Sequence, residues 1–128
     1  MTDIVVRRVT AADAALLRDI RLRALQDAPS AFGSTYAAEM TRTDAEWRER
    51  AASGAKGTDR FTALAFDDDQ CVGLAGGFRN DEDGHHADID LVSMWVAPTH
   101  RGSGVADQLV DAVLEWACNE ASADVVGL

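Results

Sequence analysis

The sequence predicts an α/β fold on a mixed sheet, with elements in the order β-α-α-β-β-β-α-β. Three observations carry that prediction. Short β-branched runs alternate with stretches of helical periodicity, and two neighbouring runs flank an acidic turn as a hairpin. The closing strand, glycine turn, helix and strand then have the form of a parallel crossover, which is right-handed in nearly all proteins. At 128 residues and 47% hydrophobic, the chain suits a single domain with one sizeable core.

Residues 3–9 supply the first strand, with Ile4, Val5, Val6 and Val9 as its apolar members. Thr10 caps a helix over residues 11–27, in which Leu16, Leu17, Ile20 and Ala24 fall near one face, and Pro29 follows as a stop signal. Residues 30–42 place Ser30, Gly33, Ser34 and Thr35 around Phe32 and Tyr36, a loop with some helical turn. Thr43-Asp44-Ala45-Glu46 is a capping-box pattern that opens a second helix to about residue 52, and the run 53–57 breaks it. Strands over 60–66 and 71–79 enclose the turn Asp67-Asp68-Asp69-Gln70. Gly73, Gly76 and Gly77 in the second of these predict a bulge or a close backbone approach. After an exposed acidic connection at 80–86, residues 87–96 form the strongest strand, ending in Ala97-Pro98. Residues 105–121 are helical, with Leu109, Val113, Trp116 and Ala117 inward and Asp107, Gln108, Asp111, Glu115 and Asn119 outward. Residues 124–128 open a last strand.

Composition excludes several functions. A formal charge of −10 repels a phosphate backbone, so neither nucleic acid nor an anionic membrane is an expected partner, whereas an amine-bearing partner fits. No apolar run approaches the roughly 20 residues of a membrane span, and the start lacks the order of a secretory signal, so the expectation is a soluble cytoplasmic protein. Lys56, in a loop between Ala55 and Gly57, is the only lysine on which amine catalysis could be built. Cys71 and Cys118 have no metal-ligand spacing, so no metal site is expected, and both read as small apolar packers.

The informative stretch is Met94-Trp95-Val96-Ala97-Pro98-Thr99-His100-Arg101-Gly102-Ser103-Gly104-Val105-Ala106: a strand, a glycine-rich turn and a helix start. A helix N-terminus leaves about four amide N–H groups without helical acceptors and holds roughly half a positive charge. Gly102 and Gly104 let a pyrophosphate approach the backbone with no Cβ in the way, and the small Ala106 keeps the first turn open. A Walker A loop would need a lysine here, and a dinucleotide site would follow the first strand, so both fit badly. A turn used only for its geometry is the remaining alternative.

In this stretch the sequence resembles the GNAT superfamily of acetyl-CoA-dependent N-acetyltransferases. Arg101 to Ala106 satisfies the signature [QR]-x-x-G-x-[GA], with Val96-Ala97-Pro98 before it as V-x-P. Arg21-Leu22-Arg23-Ala24-Leu25 and the run from Pro29 to Tyr36 resemble the first helix and acceptor-side loop of common bacterial members, and Val72-Gly73 their third strand. The resemblance implies a mostly antiparallel sheet with helices on both faces, whose fourth and fifth strands splay apart around the cofactor. It implies coenzyme A on the backbone amides of Arg101, Gly102, Ser103, Gly104, Val105 and Ala106, with the pantetheine arm along Met94, Trp95 and Val96. It further implies direct attack by an amine on the thioester carbonyl, with a strand N–H stabilising the oxyanion.

Some members place a base eleven residues before the motif, which is Asp90 here; the alternative is a solvent-facing strand residue. Ser93 is placed to position a water, Phe32 and Tyr36 to shape the acceptor pocket or to pack as core, and His100 to stand beside the phosphate site. His85 and His86 read as solvated turn residues. Family members continue with a helix and two strands, roughly thirty residues that carry an Asn contact and a thiolate-protonating Tyr. The sequence ends at Leu128 and Tyr36 is its only tyrosine, so the expectation is one acetyltransferase domain, residues 1–128, incomplete at its C-terminus or completed by a second copy as a homodimer. Three functions stay open: an amine N-acetyltransferase, a non-catalytic coenzyme A-binding module, and an acidic protein-interaction domain without cofactor.

Overall fold

The computed structural model describes residues 4–29, 35–57, 59–80, 88–119 and 125–127. Five strands, β1 (Ile4–Arg8), β2 (Arg60–Asp67), β3 (Gln70–Asn80), β4 (Asp88–Val96) and β5 (Val125–Gly127), form one sheet in chain order. The first four pair antiparallel and β5 joins β4 in parallel, the mixed sheet that the element order predicts. Helices α1 (Ala14–Asp27), α2 (Tyr36–Met40) and α3 (Asp44–Ala55) lie between β1 and β2, and α4 (Val105–Asn119) between β4 and β5.

Alternation along β2 separates the two layers. Phe61 stacks on Trp116 of α4 with ring centroids 5.3 Å apart, whereas a Cβ on Gly54 of α3 would meet the next residue, Thr62. Helices therefore cover both faces. On the α1 and α3 side, Leu64 pairs with Leu74 beneath Leu17, Ile20 and Trp47, all buried. On the other side Leu109, Val113, Trp116 and Ala117 turn inward as their spacing predicts. Two of the β3 glycines make room for this layer: a Cβ on Gly73 would stand 3.1 Å from Leu109, and one on Gly77 3.1 Å from Val113.

Several boundaries differ from the sequence prediction, each for a physical reason. The first helix begins as a 3-10 turn, Ala11–Asp13, because the backbone N–H and hydroxyl of Thr10 both donate to the Asp13 carboxylate. Leu16 is exposed at the rim of α1, since the buried stripe runs through Leu17, Ile20, Arg21, Ala24 and Leu25. The helical turn expected within 30–42 is α2, and it is capped by Thr35, whose hydroxyl accepts from the Ala38 N–H. The second helix continues past Ser53 and Gly54 to Ala55. There Arg8 donates from Nε to the Gly54 carbonyl and from Nη2 to those of Gly57 and Arg60, so the helix end finds its partner in β1. The hairpin strands each gain a residue, which leaves Asp68 and Asp69 as the turn, Asp68 at φ +53°. Cys71 is buried as expected and burial pushes its thiol up, but Cys118 is exposed on α4 and packs nothing.

Candidate functional site

β4 carries a bulge at its centre. Leu74 faces Trp95 and Gly76 faces Val92, so Ser93 and Met94 together oppose the single residue Ala75. Ser93 sits at φ +55°, a left-handed conformation that costs a non-glycine residue about 1 kcal/mol. β5 pairs with β4 only at Asp88, Ile89 and Asp90. From Leu91 onward, the edge of β4 away from β3 has no strand partner among the described residues.

β4 then runs through a second 3-10 turn, Pro98–His100, into the glycine turn and α4. Gly102 and Gly104 adopt φ +80° and +87°, and a Cβ on either would project into open space. The outer face of the turn is thus bare backbone that side chains would cover. The first bond of α4 runs from the Gln108 N–H to the Gly104 carbonyl, which leaves the amides of Val105, Ala106 and Asp107 without helical acceptors. Such a cradle fits the phosphates of a large anionic ligand.

The side chains around the turn fasten it to the sheet. Arg101 donates from Nε to the Val96 carbonyl and from Nη2 to Asp27, and Trp95 donates from Nε1 to the same carboxylate at 2.9 Å. The bonds from Trp95 and then Arg101 hold Asp27 below the usual carboxylate range. His100 pairs through Nε2 with Asp67 at the hairpin end, 2.7 Å away, and the Ser103 hydroxyl donates to the His100 carbonyl. Val105 is buried and Ala106 is exposed. Met94 closes the bulge, and Trp95 and Val96 follow it on β4 with buried side chains.

On the α1 and α3 face a cavity of about 430 Å³ opens against the bulge, lined by Val92 and Ser93 of β4, Leu74 to Phe78 of β3, and Arg21, Arg42 and Arg50. Beneath it lies Glu39, fully buried. Its Oε1 accepts from Arg21 Nε and Nη2 at 2.9 and 2.7 Å; its Oε2 accepts from Arg42 and, at 2.8 Å, from Arg50. Burial raises the Glu39 carboxyl, but the arginines outweigh it and hold the group below the usual range. Arg21 continues to the bulge, where Nη1 donates to the Ser93 hydroxyl at 2.9 Å.

This network is the part of the site that the sequence reading missed. Its one legible signal is Arg21, a cation on the buried stripe of α1, which demands a buried partner. Conversely, Tyr36 opens α2 half-buried and is not among the residues lining the cavity; Glu39, three residues on, is the contribution of that element. Phe32, His85 and His86 lie outside the described residues. Asp90 pairs with Phe78 and Gly127 on β4, two residues from Val92 along the same face, and does not line the cavity. Among the described residues no His, Cys, Asp and Glu cluster could hold a metal, and no helix is long and apolar enough to cross a membrane.

The family model for the acetyltransferase (GNAT) family matches residues 21–127. The chain belongs to the GNAT family. No curated protein sequence matches it. Among solved structures, an aminoglycoside acetyltransferase from an uncultured soil metagenomic sample superimposes with TM-score 0.76 at 17% identity, over 97% of this chain and 77% of the other. The aminoglycoside N-acetyltransferase AAC(6')-Iy in complex with CoA gives 0.73 at 18% identity, over 99% and 76%. A predicted acetyltransferase with acetyl-CoA from Clostridium acetobutylicum gives 0.74 at 19%, over 97% and 79%. At these identities the likeness is one of fold, and the mostly antiparallel sheet with helices on both faces is that of this GNAT fold.

Proposed function

We propose that this GNAT domain transfers the acetyl group of acetyl-CoA to a primary amine by direct attack, without a covalent enzyme intermediate. The observation that carries the reading is the open turn at residues 101–106, set directly after a bulged strand in a chain of this family. Solved neighbours with CoA or acetyl-CoA bound support the choice of ligand. The amides of residues 101–106 hold the pyrophosphate, and the edge of β4 at Met94, Trp95 and Val96, which has no strand partner among the described residues, runs along the pantetheine arm. Acetyl-CoA supplies the acyl group as a thioester. The amine nitrogen bonds to the carbonyl carbon while a β4 N–H stabilises the oxyanion; the carbon–sulfur bond then breaks, the thiolate takes a proton, and the amine gives one up.

Asp90 is our candidate for receiving the amine proton, directly or through water, because it shares a strand face with Val92 at the cavity rim. The acceptor enters from the side of α1, α2 and α3. Tyr36 and Phe32 belong to the segment that would border it.

Thermal unfolding with added acetyl-CoA tests the reading. Ligand at 100 times its Kd stabilises by about 2.7 kcal/mol, a clear rise in Tm for 128 residues. Gly104→Glu puts bulk and negative charge into the cradle and is expected to remove the shift while leaving the unliganded Tm within a few degrees. No shift at millimolar acetyl-CoA in the unaltered chain would overturn cofactor binding, and thiol release over a panel of amines separates an enzyme from a binder.

A further inference from the structure

The acceptor-side cavity has a local charge opposite to that of the molecule. Against a chain of formal charge −10, its inner wall carries Arg21, Arg42 and Arg50 gathered on one carboxylate. Arg42 and Arg50 both end on Oε2 of Glu39, whose Oε1 is already engaged by Arg21. Burial, and then repulsion from Arg21, pulls the Arg50 guanidinium below its ordinary value, with Glu39 only partly restoring it. Glu46 and Glu49 also line the cavity, from exposed positions on α3, and a fourth arginine, Arg60, lines it too. Glu46 accepts from the Thr43 N–H through Oε1 and faces Arg42 through Oε2 at 3.7 Å. With Glu39, four arginines stand against three carboxylates. Arg42 and Arg50 keep 35% and 31% of their side-chain surface accessible, so they present charge to the cavity rather than sealing it in the core.

The cluster is also tied to the strand on which the chemistry is placed. Arg21 bonds Ser93 at the bulge, and Ser93 lines the same cavity. We propose that the acceptor carries a compact oxyanion, a carboxylate or a phosphate, near its amine, and that Arg42 and Arg50 bind it. The proposal rests on the acetyl-transfer reading and names its substrate class. Arginine suits this task because its planar fork pairs with either oxyanion through two parallel bonds. Polycationic acceptors meet repulsion at the same wall.

Matched acceptors test it in the unaltered protein. Thiol release from acetyl-CoA is measured for amino acids against their amides, for phosphoethanolamine against ethanolamine, and for spermidine and an aminoglycoside. The anionic member of a pair is expected to have a kcat/KM about tenfold above its neutral partner, and which pair responds tells carboxylate from phosphate. In Arg42→Gln and Arg50→Gln that ratio falls to within about twofold of unity, through KM, while the Kd for coenzyme A is unchanged. Arg42 is the more exposed of the two, so it carries the comparison if Arg50→Gln fails to fold. A ratio near one in the unaltered chain, a preference for spermidine or the aminoglycoside, or no turnover of either member by a chain that binds coenzyme A would each overturn the proposal. Failure to bind coenzyme A overturns the acetyl-transfer reading instead.

Discussion

Asp13 closes the first turn of the chain. Its carboxylate accepts from both Nη atoms of Arg7 on β1, at 2.6 and 3.1 Å, and from the backbone N–H and hydroxyl of Thr10. The Arg7 bond above all holds it down to about 2, against the 3.9 of an unfolded chain. A depressed carboxylate stabilises the fold at every pH above its unfolded value, and that stability is lost as pH falls from about 4 to about 2. Since Arg7 is two-fifths exposed and screened, the contribution is about 1–2 kcal/mol. Asp13→Asn is therefore expected to lower the urea midpoint at pH 7, with the gap to the unaltered protein shrinking to about a third by pH 2.5; parallel midpoints across that range would assign the acid sensitivity to other carboxylates. Buried charges of this kind were only half legible. The pairing of Thr10 with Asp13 is local and shows as a capping pattern, whereas Arg21 and Glu39 lie 18 residues apart, and Arg21 and Ser93 lie 72 apart. Only folding brings those together.

Helix α3 shows how tertiary contact overrides local propensity. Ser53 and Gly54 read as a break, yet the helix continues because the glycine is its contact with the sheet: a Cβ there would stand 2.5 Å from Thr62 Oγ1 and 2.9 Å from Thr62 Cβ. Alanine in a free helix interior is better than glycine by about 1 kcal/mol. Here the overlap reverses the sign, and Gly54→Ala is expected to destabilise by about 1–3 kcal/mol in urea unfolding. A raised midpoint would mean that α3 can draw back from β2 without loss. The glycines of β3 were easier to read, since a weak strand former inside a strong strand advertises a close approach, and α4 supplies it at Gly73 and Gly77. The glycine turn was legible for the same reason, because two positive-φ residues before an amphipathic helix leave a motif in the sequence itself. The bulge at Ser93 left none, as a serine at positive φ is fixed by pairing against Ala75 and not by its own preference.

The whole molecule is acidic, yet the two surfaces we assign to anions, the glycine turn and the cavity wall, would meet them by different means. At the turn, Arg101 is answered by Asp27 and His100 by Asp67, so what remains there is the field of backbone amides, which fades within the first helical turn. At the cavity wall the positive charge is on Arg42 and Arg50. The net charge that composition gave as a guide to partners does not extend to small ligands, because a sum over 128 residues carries no information about where the cations gather. Salt separates the two surfaces. Raising ionic strength from about 0.01 to 0.15 M shortens the Debye length from about 30 to 8 Å, which screens the long-range repulsion between a −10 protein and a polyanionic cofactor and leaves the short-range amide contacts intact. The calorimetric Kd for acetyl-CoA is therefore expected to hold or fall by about two- to fivefold over that range. The KM of an anionic acceptor is expected to move the other way, since screening weakens the solvent-accessible guanidiniums that hold it. A Kd for acetyl-CoA that rises steeply with salt would show that side-chain cations, not the amides of residues 101–106, hold the phosphates.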